Sequence, residues 1–97
     1  MAEDTPQRIE RSVLIASTSG LHARPAALFS QAAAEQSVEV MIARPGGDPV
    51  PARSILMLLT LGADQGDEVI LSADGEGAAE AVATLAALLE KNLDEEG

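Results

Sequence analysis

Phe29 is the single aromatic residue among 97, and no cysteine is present to tie distant segments together. Any core must therefore be filled by Leu, Ile, Val and Met and by abundant Ala, whose small side chains favour helices packed closely on a sheet. A chain of 97 residues makes one domain, residues 1–97, and a domain of that size buries roughly 60 to 68% of its unfolded surface. Its ordered core is expected over about 8–93. The acidic residues Glu3, Asp4, Asp94, Glu95 and Glu96 are read as solvated, poorly ordered ends.

Val13, Leu14 and Ile15 are strand formers and predict a first strand within Arg8–Ala16, followed by the polar loop Ser17-Thr18-Ser19-Gly20. Beyond Pro25, the segment Ala26–Glu35 is rich in helix formers, with Leu28, Phe29, Ala32 and Ala33 on one face. A proline in a first helical turn is tolerated because the N–H it lacks would have no intrahelical partner. Val38, Val40 and Ile42 alternate with Glu39, Met41 and Ala43, which predicts a strand with one covered face over Val38–Arg44. Pro45-Gly46-Gly47-Asp48 ends it, and the prolines of Pro49-Val50-Pro51-Ala52 confine the next strand to a short piece at a sheet edge. Ser54 is a good N-cap for a short helix through Thr60, closed by Gly62, with Leu58 and Leu61 assigned to the core. After the turn Ala63-Asp64-Gln65-Gly66, the last strand is expected over Asp67–Ser72 with Val69 and Leu71 on one face. The final helix carries the stripe Val82, Leu85, Ala86, Leu89 and Leu93. One apolar face per element, in the order strand, helix, strand, strand, helix, strand, helix, implies a two-layer α+β sandwich.

The charge balance narrows the function. With 6 basic against 16 acidic residues, a net charge of −10 would repel a phosphate backbone, and no aromatic platform exists to stack bases, so nucleic acid is a poor partner. The longest uninterrupted apolar run, Ile55 to Leu59, is too short to span a bilayer, and the first residues carry acids where a signal peptide would carry bases. A soluble, cytoplasmic protein without membrane insertion is expected. The absence of cysteine excludes thiolate metal sites and a single histidine excludes a His-rich one, and neither a metal nor another cofactor is expected.

That histidine is the chemical focus. His22 lies in Gly20-Leu21-His22-Ala23-Arg24-Pro25-Ala26-Ala27, just before a helix start and two residues from Arg24. Imidazole retains a large neutral, nucleophilic fraction at neutral pH, and a helix N-terminus offers backbone N–H groups to a phosphoryl group. Taken alone, a histidine or an arginine at such a place is more often an ordinary surface side chain.

Gly-Leu-His-Ala-Arg-Pro-Ala resembles the active-site motif of HPr, the histidine-containing phosphocarrier family of the phosphoenolpyruvate:sugar phosphotransferase system. Arg53-Ser54-Ile55-Leu56 is similar to the family's regulatory-serine segment, and Leu61-Gly62 with Gly66-Asp67-Glu68-Val69 resembles the entry to its last strand. The likeness runs from about Ile9 to Leu93. It implies the order βαββαβα, an open-faced sandwich in which three helices cover one side of a four-stranded antiparallel sheet. It also implies a stoichiometric carrier, not an enzyme: His22 takes a phosphoryl group at Nδ1 from phosphorylated Enzyme I and passes it to an enzyme IIA, with Arg24 holding the phosphoryl oxygens and Pro25 fixing the chain direction. Ser54 has two readings, helix cap or target of an HPr serine kinase, and Met57 stands where the family often has a small residue. Ala23, Ala27, Ile55, Leu56 and Met57 are the expected partner contacts of a monomer. The competing function is a regulatory HPr-like module that docks to a kinase or transcription regulator without carrying sugar-directed phosphate. A hydrolase using His22 as its nucleophile lacks an identifiable base.

Overall fold

The computed structural model describes residues 8–95; the acidic positions Glu3, Asp4 and Glu96 lie outside the described residues. The elements are β1 (Arg8–Leu14), α1 (Ala23–Ala34), β2 (Met41–Ala43), β3 (Val50–Pro51), α2 (Ile55–Thr60), β4 (Glu68–Asp74) and α3 (Ala78–Leu89), followed by a 3-10 turn over Leu93–Glu95. The order is the expected βαββαβα. The four strands form one antiparallel sheet in the order β1-β4-β2-β3, covered on one side by the helices as in an open-faced sandwich.

Register explains which side is covered. Ile9, Arg11 and Val13 stand opposite Ala73, Leu71 and Val69, and Ile42 stands on the other side of Leu71, so these positions share one face of the sheet. Val13, Ile42, Val69, Leu71 and Ala73 are buried there together with Phe29 of α1, Leu58 of α2, and Ala81, Val82, Leu85, Ala86 and Leu89 of α3. Burying each Val, Leu or Phe side chain contributes about 1.5 to 3 kcal/mol, and the alanines between them let the helices approach the sheet. Leu14 points the other way and is 60% exposed.

Several boundaries differ from the sequence expectation. Strand β1 ends at Leu14, although the Ile15 N–H still donates to Asp67 O at 3.0 Å. The second strand is shorter than Val38–Arg44; Val40 and Ile42 are buried and Glu39 is exposed as the alternation predicts, but Ala43, expected on the open face, is buried as well and Val38 is only half-buried. At the sheet edge β3 pairs only with β2, and one further ladder bond runs from the Ala52 N–H to Val40 O at 2.9 Å. A proline there costs nothing, because an edge strand leaves half its donors unpaired in any case.

The first helix starts at Ala23, earlier than expected, and buries Pro25, Ala26, Phe29, Ser30 and Ala33. Leu28 and Ala32, expected on the covered face, are only half-buried. Alanine occupies both flanks of Phe29, so the amphipathic stripe is broad and packing, rather than hydropathy, selects its centre. Ser30 is accommodated because its hydroxyl donates to Ala27 O at 3.1 Å. Leu93 lies beyond the end of α3 yet is buried, carried inward by the 3-10 turn. Leu58 is fully buried, while Leu61 packs half-buried against the core.

Candidate functional site

His22 ends the loop from Ser17 to Leu21 and stands at the N-cap of α1 with extended backbone, φ −132° and ψ 168°. Its side chain makes no capping hydrogen bond, so the ring is available for chemistry, and it retains 36% side-chain exposure. The next residue, Ala23, has φ 49°, a left-handed conformation that costs an L-residue roughly 1 to 2 kcal/mol. Such a turn persists only where its surroundings hold it. Here the Leu21 N–H donates to Ala63 O and the Gly20 N–H to Ser17 O, both at 2.9 Å, and Leu21 and Pro25 are buried on either side of it.

The loop after α2 supplies the other wall. Gly62 has φ 61° and turns the chain out of the helix. Arg44 Nη1 donates to Leu61 O at 3.2 Å and to Gly62 O at 3.0 Å, and lies 3.6 Å from Asp67 Oδ2. The same Asp67 oxygen accepts the Asp64 N–H at 2.8 Å. This bracing places Asp64 Oδ1 3.3 Å from His22 Nε2. Asp64 was expected only as part of a turn. It is 42 residues from His22, and no local pattern ties the two together.

A second distant segment fastens the loop that leads to His22. Ser17 Oγ accepts the Leu93 N–H at 2.8 Å, Asn92 Oδ1 accepts the Thr18 N–H at 3.1 Å, and Asp94 accepts both the Ser19 N–H, at 2.8 Å, and the Ser19 hydroxyl. Asp94, expected in a solvated tail, is thus exposed but engaged, because a carboxylate can satisfy a loop N–H that would otherwise face only water. Ser17 is buried at the centre of this clasp.

The remaining candidates fall into two places. Arg24 is exposed in the first turn of α1, beside the exposed Ala23, and Ala27 is half-buried. On α2, which packs against α1, Ile55, Leu56, Met57 and Leu59 are exposed at 41, 72, 38 and 43%. Four large apolar side chains left open on six helical residues form a surface suited to docking. Ser54 is the N-cap of α2, and its hydroxyl accepts the Met57 N–H at 3.3 Å. Among the described residues, no helix is long and apolar enough to cross a membrane.

Fold and site together define a class: small α+β open-faced sandwiches that present one histidine at the start of their first helix. The chain belongs to the HPr family, since the family profile described as "PTS HPr component phosphorylation site" matches residues 9–91. It is similar to phosphocarrier protein HPr of Streptomyces coelicolor, 46% identical over 86 residues that cover 89% of this chain and 92% of that protein. The crystal structure of an HPr from Thermoanaerobacter tengcongensis superposes with a TM-score of 0.82 at 39% identity, covering 92% of this chain and 99% of the other. The HPr-like protein Crh of Bacillus subtilis is 38% identical over 85 residues, covering 88% of this chain and 99% of Crh.

Proposed function

We infer that this protein carries a phosphoryl group on Nδ1 of His22, accepted from phosphorylated Enzyme I and delivered to an enzyme IIA of the sugar phosphotransferase system. The observation that carries this reading is the His22 ring itself, part-exposed at a helix N-terminus and not engaged in capping, in a chain whose family match spans residues 9–91. A helix N-terminus supplies N–H donors and partial positive charge to a phosphoryl group, and Arg24 adds a full charge beside it. Binding must stay moderate, because every 1.4 kcal/mol of excess stabilisation holds the group about tenfold more firmly on the carrier. The protein is read as a monomeric, cytoplasmic carrier in one HPr-like domain, with Ala23, Ala27, Ile55, Leu56 and Met57 forming the surface that donor and acceptor share. Phosphoryl acceptance from phosphoenolpyruvate through Enzyme I, read by intact mass, tests it.

Arg24→Ala is expected to slow transfer in both directions with little change in thermal unfolding, since Arg24 is exposed and contributes nothing to the core. Charged hydrogen bonds of this kind contribute about 1.5 to 3 kcal/mol, which corresponds to a loss of roughly tenfold to a hundredfold. Wild-type rates in the variant would reduce Arg24 to an ordinary surface residue.

Ser54 separates two roles by substitution. As a cap it contributes about 0.5 to 2 kcal/mol over alanine, whereas aspartate caps equally well. If phosphorylation by an HPr serine kinase regulates the protein, Ser54→Asp lowers phosphoryl acceptance at His22 while Ser54→Ala does not, although alanine is the poorer cap. Lower thermal stability in Ser54→Ala with unchanged transfer in both variants would leave capping as its role. The likeness to Crh supports the second functional reading, a regulatory module; a wild-type protein that accepts no phosphoryl group from several Enzymes I would favour that alternative.

A further inference from the structure

The contact between His22 and Asp64 has a direction. An ionised carboxylate can only accept a hydrogen bond, so the ring nitrogen facing Asp64 Oδ1 at 3.3 Å, Nε2, carries the proton. In a neutral imidazole the other nitrogen then holds the lone pair. Nδ1 is thereby left as the nucleophile, and the carboxylate lies on the side of the ring away from it.

Asp64 is held there by its backbone rather than by its own exposed side chain. Its N–H is tied to Asp67, the preceding carbonyl of Ala63 accepts the Leu21 N–H, and the fully buried Ala63 anchors the loop. Gly20 allows the approach: a Cβ at that position would come within 2.8 Å of Asp64 Cα. The loop carrying the carboxylate and the segment carrying the imidazole are thus locked together one residue from each functional group.

We propose that Asp64 is a positioning residue for phosphoryl transfer, holding His22 as the Nε2–H tautomer so that Nδ1 meets the incoming phosphorus. The proposal rests on His22 being the acceptor. In the step, the Nδ1 lone pair forms the new P–N bond while the P–N bond of the donor phosphohistidine breaks, its electron pair returning to the donor ring. The Nε2 proton does not move, so the phosphorylated ring of His22 gains one positive charge, which the Asp64 carboxylate faces. When the group leaves, the pair in the P–Nδ1 bond returns to the ring and the same neutral tautomer is restored. No proton has to be lost or recovered in either direction.

The test compares wild type with Asp64→Ala, a change at an exposed side chain that keeps the backbone N–H to Asp67. Long-range proton–nitrogen spectra of the ¹⁵N-labelled ring at about pH 8.5, where an ordinary histidine is neutral, report the tautomer. Wild type is expected to show the Nε2–H form, and Asp64→Ala a marked rise of the Nδ1–H form. Since the pair is largely solvated, transfer from phosphorylated Enzyme I should slow by about two- to fivefold. Identical tautomer populations in the two proteins, or identical transfer rates, would overturn the assignment. A wild type that shows the Nε2–H form but accepts no phosphoryl group would instead remove the carrier reading and this step with it.

Discussion

Incubated with phosphoenolpyruvate and Enzyme I, the wild-type protein is expected to gain one phosphoryl group and His22→Ala none. The stoichiometry follows from a sequence with one histidine and no cysteine, and the bond should behave as a phosphoramidate, stable in base and labile in acid. The variant is informative because it should keep the fold. The imidazole does not cap α1 and is 36% exposed, and its contact with Asp64 is largely solvated, so its removal should change stability by no more than about 1 kcal/mol, the range of exposed polar pairs. Thermal unfolding of the two proteins checks this directly. A wild type left unmodified by several Enzymes I would favour the regulatory module, and a group found on Ser54 without any kinase would remove His22 from its assigned role.

Gly20→Ala should damage fold and site at once. Gly20 has φ +75°, and a Cβ there would lie 2.6 Å from Ala63 O and 2.8 Å from Asp64 Cα. Both neighbours are backbone atoms, which cannot swing aside as the end of a side chain can. The left-handed conformation costs alanine roughly 1 to 2 kcal/mol, and overpacking adds about 1 to 3 kcal/mol, a combined loss of about 2 to 5 kcal/mol. For a domain of this size even the lower figure lowers the melting temperature by about 8 to 16 °C. The loop after α2 must also withdraw from His22, so phosphoryl acceptance should fall even at temperatures where the variant remains folded. A melting temperature within 2 °C of wild type, on the same scale about 0.5 kcal/mol or less, would show that the two loops are not in the tight contact described.

Much of this was legible in the residues. The alternation around Val40 and Ile42 and the stripe Val82, Leu85, Ala86 and Leu89 identified covered faces that are buried, and the prolines flanking Val50 placed β3 at the sheet edge. Ser54 capped α2 as its position implied. These features depend on spacing within a few residues, where backbone hydrogen bonding imposes a period of two or of 3.6. The motif around His22 was equally local and pointed to the family.

Other features have no local record. The covered face of α1 is centred on Ala26, Phe29 and Ala33 instead of including Leu28 and Ala32, because a helix flanked by alanine on several sides offers more than one usable stripe. Asp64 reaches His22 across 42 residues, and Asp94 reaches Ser19 across 75. A carboxylate in a turn and a carboxylate in an acidic tail look alike in sequence, since neither shows which segment will fold beside it. The sequence by itself determined the elements, their order and the place of the one histidine, all consequences of short-range periodicity and composition. Only the tertiary structure decided which helix face turns inward and which distant carboxylates meet the loop around His22, because those contacts follow from how the packed layers bring remote segments together.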